Sequence, residues 1–316
     1  MKKAFYIAIL IVTTFLNNSC EDSFSPKADF KEKYILYCIL NIDSSRQTAT
    51  LLKSYDVDGY NPYINTESSF VSGAEIMIRQ KNQVFFMRDT SAIIEGVSRY
   101  RSPIDFYYLD NFSSLINDSI EIIATLPTGK KLSGIAKAPE RITFDGMSDR
   151  ILPPEEKDLF TFLWDGPTST RWYRPKLEFY YILNGVTKSK EIPVTYKLEN
   201  GFWNPVYPAI SNSNYVNFTV AALDSVFKQI SEGDPNKSDY EILGAKLSLL
   251  VFNESLSNYY STTNGFLDDF TIILDESDYT NIEGGLGVFG IYRQQLTGAI
   301  FTEEYIQSFG YTPGLN

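Results

Sequence analysis

Residues 119–126 read SIEIIATL, and this stretch decides the fold class. Ile120, Ile122, Ala124 and Leu126 occupy alternate positions, so an extended backbone places all four on one face. Similar short segments follow one another along the chain, with clusters of Gly, Asn, Asp and Ser between them. This succession, with little helical periodicity, predicts an all-β protein made of β-sandwiches rather than alternating β/α units.

The predicted strands fall into two groups that meet near residue 138. The sequence KAPE (137–140) ends the first group, and a new strand begins at 141. We therefore predict two consecutive immunoglobulin- or transthyretin-like sandwiches, 33–138 and 139–316. The predicted strands cover 34–40, 47–53, 73–79, 83–88, 119–126, 141–144, 159–164, 173–183, 192–198, 241–252, 269–274 and 287–293.

Two segments of the second half are predicted to be helical. In 219–231 the apolar residues recur at helical spacing, which predicts an amphipathic helix covering an open edge or end of the second sandwich. Asp224 and Lys228 form an i,i+4 pair on its polar side. Thr302, followed by two glutamates, is typical of the start of a short last helix.

The N-terminus has the features of an export signal. Lys2 and Lys3 precede an uncharged run of 13 residues, 4–16. This run is too short to span a membrane, which takes about 20 apolar residues, and it fits the apolar core of a signal peptide. Asn17-Asn18-Ser19-Cys20 follows the run, and a small residue directly before a cysteine at this place is typical of a lipoprotein signal, so we predict removal of 1–19 and acylation of Cys20. An ordinary cleaved signal is the alternative.

The residues after Cys20 suggest where the anchored chain would be displayed. Residues 20–32 are polar and are predicted to be a tether to the membrane. Glu21 and Asp22 resemble the acidic export signal of surface-displayed lipoproteins, which predicts an outer-membrane location facing the cell exterior. The alternative is that the two acids are simply part of a solvated tether.

Composition excludes several classes of function. The 316 residues contain no His, which removes Ser-His-Asp and Cys-His nucleophiles and His-ligated metals. Two cysteines are too few for a thiolate zinc or iron–sulfur site. A net charge of −11 argues against nucleic-acid binding. Cys38 lies in an apolar run and is predicted to be a buried structural thiol.

Several segments resemble one protein family. They are YILYCILN (34–41), VSGAEI (71–76), PERITF (139–144), WYRP (172–175) and NIEGGLGVFG (281–290), together with the cysteine of the lipoprotein signal. The chain resembles the Bacteroidota lipoproteins of domain of unknown function family 4249. The resemblance implies a cell-envelope lipoprotein with β-sandwich domains, of a kind often found alongside TonB-dependent receptors, and it carries no catalytic residues.

Three patterns associated with chemistry have simpler explanations. Residues 285–290 match G-x-G-x-x-G but lie near the end of an all-β chain, so they predict a Gly-rich strand rather than a nucleotide site. Asp56-Val57-Asp58-Gly59 lacks most of a calcium loop, and the acids between 268 and 278 bracket a predicted strand. Their simplest role is to face water, although a weak calcium site is an alternative. The sequence predicts no cofactor.

Loop aromatics are the remaining candidates for a binding site. Tyr55, Tyr60 and Tyr63 lie in a predicted loop, 55–69, and Trp203 and Tyr207 lie in a second predicted loop, 201–208. Exposed Tyr and Trp provide contact area at low entropic cost. Folding of these rings onto small satellite cores is the alternative.

The sequence leaves three candidate functions. The first is a non-enzymatic accessory lipoprotein that binds a TonB-dependent receptor or another envelope complex. The second is a surface lipoprotein that binds glycans or nutrients through the loop aromatics. The third is an acid-pair hydrolase, for which the acidic composition provides carboxylates but no recognisable pair.

Overall fold

The computed structural model describes residues 29–57, 68–93, 103–112, 119–166, 171–262 and 279–314. Residues 33–55 and 66–316 form one compact unit, to which the fold described below belongs. Residues 1–32 and 56–65 form the other unit, and its described residues, 29–32 and 56–57, have neither helix nor strand. The lipoprotein signal and most of the tether therefore lie outside the described residues.

The described chain is mainly β, as predicted. Its strands in chain order are β1 (Tyr34–Asn41), β2 (Gln47–Lys53), β3 (Glu75–Gln80), β4 (Gln83–Phe86), β5 (Arg88–Ala92), β6 (Ile104–Leu109), β7 (Ser119–Thr125), β8 (Lys131–Lys137), β9 (Thr143–Phe144), β10 (Ile151–Leu152), β11 (Leu159–Asp165), β12 (Tyr173–Leu183), β13 (Val186–Ile192), β14 (Thr195–Glu199), β15 (Phe202–Val206), β16 (Tyr215–Thr219), β17 (Glu241–Phe252), β18 (Leu286–Phe301) and β19 (Thr312–Pro313). The helices described are α1 (Val220–Ile230), α2 (Glu254–Thr262) and α3 (Glu303–Ser308), with a 3-10 turn at Lys237–Asp239.

One large sheet contains strands from both halves of the chain. Its order is β13-β12-β17-β18-β1-β2-β6-β5, with β10 beside β18 and β19 beside β17. The central β1–β18 pair is parallel, with Ile35 opposite Leu286 and Asn41 opposite Tyr292. Smaller sheets have the orders β4-β3-β7-β8, β16-β11-β9 and β14-β15.

The large sheet contributes to two hydrophobic cores. The first core includes Leu36, Leu51, Ile76 and Ile122, from β1, β2, β3 and β7. The second core is rich in phenylalanine and includes Phe160, Phe179, Phe218 and Phe227. A β-strand buries alternate residues, so the large sheet and a smaller sheet each provide one apolar face to these cores.

Strand β18 serves both cores. Phe289 and Ile291 pack in the first core, whereas Ala299 and Phe301 pack in the second. The predicted domain boundary near residue 138 stays a prediction. Strand β18 contributes residues to both cores, so the two sandwiches share one strand of the second half of the chain. Alternation of apolar residues shows which face of a strand is buried and not which strand lies beside it, so this shared strand could not be derived from periodicity.

The glycines of the NIEGGLGVFG segment permit close backbone contact, as the sequence indicated. At Gly287, φ is +110°, and a Cβ would lie 2.2 Å from the Leu36 carbonyl oxygen of β1. At Gly290, a Cβ would meet the Leu256 side chain of α2 at 2.3 Å. Small residues are therefore required where β18 contacts β1 on one side and α2 on the other.

Helix α1 confirms the predicted amphipathic helix. The Thr219 hydroxyl accepts a hydrogen bond from the Ala222 N–H at 3.1 Å and caps the helix. Phe227 lies fully buried in the second core, with its ring centre 5.0 Å from that of Phe179. Thr302 likewise caps α3, as predicted, by accepting a hydrogen bond from the Tyr305 N–H.

The structure differs from the sequence-based prediction in several places. Strands β6, β8, β10, β13, β16 and β19 were not predicted. The predicted strand 192–198 is divided between the end of β13 and β14, because Pro193 has no N–H to continue the ladder. Helix α2 was not predicted, because its sequence ESLSNYYST is polar; the buried Asn253 amide oxygen accepts from the Leu256 N–H and caps its first turn. Residues 201–208, predicted to be a loop, contain strand β15. Most of β15 is exposed, so pairing with β14 rather than burial stabilises it, and no alternating pattern marks it in the sequence. The predicted strand 269–274 lies outside the described residues.

Candidate functional site

The β14–β15 hairpin presents large apolar side chains to solvent. Leu198 is 58% exposed, Phe202 73% and Trp203 67%. Asn200 and Gly201 form the two-residue turn between the strands, with φ of 53° and 83°, as in a type I′ turn. This turn fixes the register, in which Leu198 lies opposite Trp203 and Glu199 lies opposite Phe202.

The base of the hairpin is attached to the second core. The Val194 N–H donates to the Val206 carbonyl at 2.8 Å, and the Thr219 N–H donates to the Val194 carbonyl at 3.0 Å. The Tyr196 hydroxyl accepts a hydrogen bond from the Gln229 amide of α1 at 3.0 Å. These bonds hold the base of the hairpin on the sandwich, while its turn end remains exposed.

A shallow groove of about 340 Å³ lies at the base of the hairpin. Its lining is mainly apolar and includes Pro175, Val206, Tyr207, Pro208, Tyr215 and Asn217. Tyr207 and Tyr215 are 46% and 50% exposed, so their rings are accessible from solvent. Partial burial raises the pKa of Tyr207, and nearby Glu191 and Tyr196 raise it further, so its hydroxyl is neutral and can donate a hydrogen bond at neutral pH.

The predicted binding residues are placed as follows. Trp203 and Tyr207 are exposed and lie four residues apart at the turn end and the base of the same hairpin. Tyr55 is 41% exposed and follows β2, a strand of the first core, whereas the hairpin adjoins the second core. Tyr60 and Tyr63 lie outside the described residues, as do Cys20, Glu21 and Asp22.

Sequence reasoning missed three members of the exposed surface. Leu198 falls in the predicted strand 192–198, Phe202 falls in the predicted loop 201–208 but was not among the binding candidates, and Tyr215 was not a candidate. The signal that could have found the first two is Asn200-Gly201, since Asn-Gly between two apolar stretches is the strongest short-range indicator of a hairpin. The neighbourhood of Tyr215 and Tyr207 depends on tertiary structure and has no such local signal.

Other residues considered for chemistry have structural roles. Cys38 is buried in the first core, and burial raises the pKa of its thiol, as expected for an inert cysteine. The G-x-G-x-x-G residues run into β18 and contact neighbouring backbone. In the described part of the chain, no group of three or more Cys, Asp or Glu side chains could hold a metal ion. None of the described helices is long and apolar enough to cross a membrane.

The fold and the surface together define a class of protein: a two-core β-sandwich protein with an aromatic hairpin and an apolar groove exposed beside its second core. Comparison with known families assigns it more specifically. The chain belongs to the family described as Domain of unknown function (DUF4249), whose model matches residues 21–297. No curated protein matches it significantly.

Proposed function

We propose that this protein is a non-enzymatic accessory lipoprotein of the outer membrane. In this proposal Cys20 carries the lipid, Glu21 and Asp22 direct display at the cell surface, and the folded body binds an envelope protein, with a TonB-dependent receptor as the first candidate. The observation that carries the binding role is the groove at the base of the hairpin, with its two accessible tyrosines.

The chemistry of the groove suits protein recognition. Tyrosine provides a large apolar ring together with a hydroxyl, and such residues are enriched among those that dominate binding energy. Pro175 and Pro208 stiffen the wall of the groove, and Val216 is anchored by pairing of β16 with β11. A rigid site loses less conformational entropy when a partner binds.

Glycan or nutrient binding is the second candidate. Tyr207, Tyr215 and the exposed amide of Asn217 lie in the same groove, and aromatic rings beside a polar amide can stack on a sugar and hydrogen-bond to it. The Asn217 amide oxygen accepts from the Thr161 hydroxyl at 2.8 Å, which orients the amide.

The test is a detergent pull-down of the tagged protein from its native membrane. An outer-membrane barrel recovered in stoichiometric amount supports the proposal. The Tyr207→Ala/Tyr215→Ala variant is expected to reduce affinity for that partner by at least about 30-fold, because loss of even one aromatic anchor costs about 2 kcal/mol. Leu296→Ser is a control for a change of an exposed apolar residue elsewhere, since Leu296 is also exposed but lies on β18.

The lipid anchor is tested separately. Mass spectrometry of the mature N-terminus should find acylated Cys20, and Cys20→Ala should release the protein from the membrane fraction. An unmodified N-terminus at another residue would contradict the anchor. A monomer that binds glycans and recovers no membrane protein would favour the second candidate.

A further inference from the structure

Large apolar side chains project from both faces of the turn end of the β14–β15 hairpin. In an antiparallel ribbon, opposite residues share a face. Leu198 and Trp203 form one pair, so their side chains lie together on one face, while Phe202, opposite Glu199, lies on the other face. All three apolar side chains are more than half exposed.

The layer behind this end is amphipathic. Lys197 pairs with Asn204, one residue further from the turn than the Leu198–Trp203 pair, and Tyr196 pairs with Pro205, one residue further again. Lys197 and Asn204 are exposed, and Tyr196 keeps its hydroxyl on α1. Lys197 and Glu199 are the charged residues of the hairpin and cancel each other, so the hairpin is neutral although the chain carries −11.

We propose that the turn end of this hairpin inserts into the interfacial layer of a lipid bilayer. A groove on a protein covers one face of a ribbon, whereas a fluid apolar medium surrounds both faces. Trp and Tyr favour the membrane interface because their rings have an apolar body and a polar edge. A long lysine side chain can extend from the same layer towards lipid phosphates.

The dimensions agree with shallow insertion. One or two residue layers of a strand span about 3–7 Å, and interfacial elements are buried about 5–10 Å into the boundary between headgroups and acyl chains. Insertion to this depth would cover the rings of Phe202 and Trp203 and the Leu198 side chain and leave Lys197 and Tyr196 at the headgroups. Glu199 lies opposite Phe202 and nearer the turn than Leu198, so its carboxylate must stay hydrated and limits the insertion to the headgroup boundary. The tight Asn200-Gly201 turn adds only two residues at the leading end.

The proposal rests on the lipid anchor proposed above for its proximity to a membrane. The 13 residues from Cys20 to Glu32 can span at most about 45 Å when fully extended. The body of an anchored chain is therefore confined close to the bilayer, and even weak insertion becomes effective because the local lipid concentration is high.

The experiment uses the mature chain with Cys20→Ser, so that no acyl chain contributes. It is mixed with vesicles of phosphatidylethanolamine and phosphatidylglycerol in a three-to-one ratio. We expect partitioning into the vesicle fraction and a blue shift of tryptophan emission. Trp203→Phe should abolish the shift while retaining the partitioning, since Trp164 is buried and Trp172 packs against an apolar cluster that includes Phe252 and Leu256.

A matched pair of variants assigns the contact. Leu198→Ser and Leu296→Ser remove leucines that are 58% and 59% exposed, on the hairpin and on β18 respectively. We expect Leu198→Ser to weaken partitioning by about fivefold, and Phe202→Ser/Trp203→Ser by at least tenfold, from the apolar area withdrawn from water. Leu296→Ser should have no effect.

Three results would overturn the proposal. The first is no vesicle binding, and the second is an equal loss of partitioning from the two leucine variants. The third is that the Phe202→Ser/Trp203→Ser variant still binds vesicles but no longer recovers a membrane protein from detergent. The last result would assign the hairpin to a protein partner. The pull-down with Tyr207→Ala/Tyr215→Ala and the N-terminal mass test the proposed function independently, so the two failures can be distinguished.

Discussion

Replacing Gly287 by alanine tests why the Gly-rich segment of residues 284–290 lies where β18 meets β1. The added Cβ would lie 2.2 Å from the Leu36 carbonyl oxygen and 2.8 Å from the Leu36 carbonyl carbon. Both atoms belong to the backbone, so no side-chain rotation can relieve the contact. The φ of +110° is also one that residues with a Cβ rarely adopt.

The cost is the sum of two effects. Forcing an L-residue into a left-handed conformation costs about 1–2 kcal/mol. Separating the two strands by the roughly 1 Å that the Cβ needs resembles overpacking of a core, which costs about 1–3 kcal/mol. We therefore expect the free energy of unfolding to fall by about 2–5 kcal/mol, a large part of the 5–15 kcal/mol typical of a folded protein.

Gly129→Ala is the control for this measurement. Gly129 has φ of +83° but nothing lies within 4 Å of its added Cβ, so this variant reports conformational strain without the steric contact. The assay is urea unfolding followed by far-ultraviolet circular dichroism, with the midpoint and slope fitted for both variants. Equal losses for Gly287→Ala and Gly129→Ala would refute the argument, because they would show that the approach of β18 to β1 is not limiting.

Two further predictions concern the cores and pH. Phe227→Ala should lower the free energy of unfolding by about 3–5 kcal/mol, because Phe227 is fully buried among Phe179, Phe301 and Tyr305. Thermal unfolding measures this loss, with Phe86→Ala, a change at an exposed phenylalanine, as the control. A loss no greater than that of Phe86→Ala would contradict the prediction. Asp89 accepts hydrogen bonds from the Ser72 hydroxyl and the Gly73 N–H, which lower its pKa. Its contribution is therefore present above the unfolded-state pKa and is lost as pH falls through the lower folded-state pKa. Because Asp89 is exposed, Asp89→Asn should cost less than about 1 kcal/mol at pH 7 and should reduce the loss of stability on acidification, and an unchanged pH profile would contradict this assignment.

Local patterns predicted most of the individual elements. Gln47–Lys53, Tyr173–Leu183 and Glu241–Phe252 have the predicted bounds, because each carries enough apolar residues to mark an extended segment. Helix α1 was predicted because its apolar residues repeat at helical spacing, and α3 because Thr302 is a typical cap.

Helix α2 and the β14–β15 hairpin depend on information outside their own sequence, whereas β8, which was also missed, does carry a local alternation. Helix α2 is stabilised by packing on the large sheet, where Leu256 and Tyr260 join a third apolar cluster with Phe252 and Val288. The β14–β15 hairpin is exposed, so it lacks the alternation that marks a half-buried strand. Trp203 and Tyr207 were predicted from their positions in a predicted loop, but only the fold shows that Trp203 lies at the hairpin turn and Tyr207 in the groove.

The parallel β1–β18 pair has a consequence for the order in which the protein can fold. Its partners are separated by about 250 residues, and contacts between such distant parts of a chain form slowly because a long loop must close first. A chain that leaves a ribosome or a translocon from its N-terminus presents β1 long before β18 exists. Until then, one edge of β1 is open, and both cores lack the strand that they share. Completion of either sandwich must therefore wait for the last part of the chain, and the open edge of β1 stays available for pairing with other chains until β18 arrives.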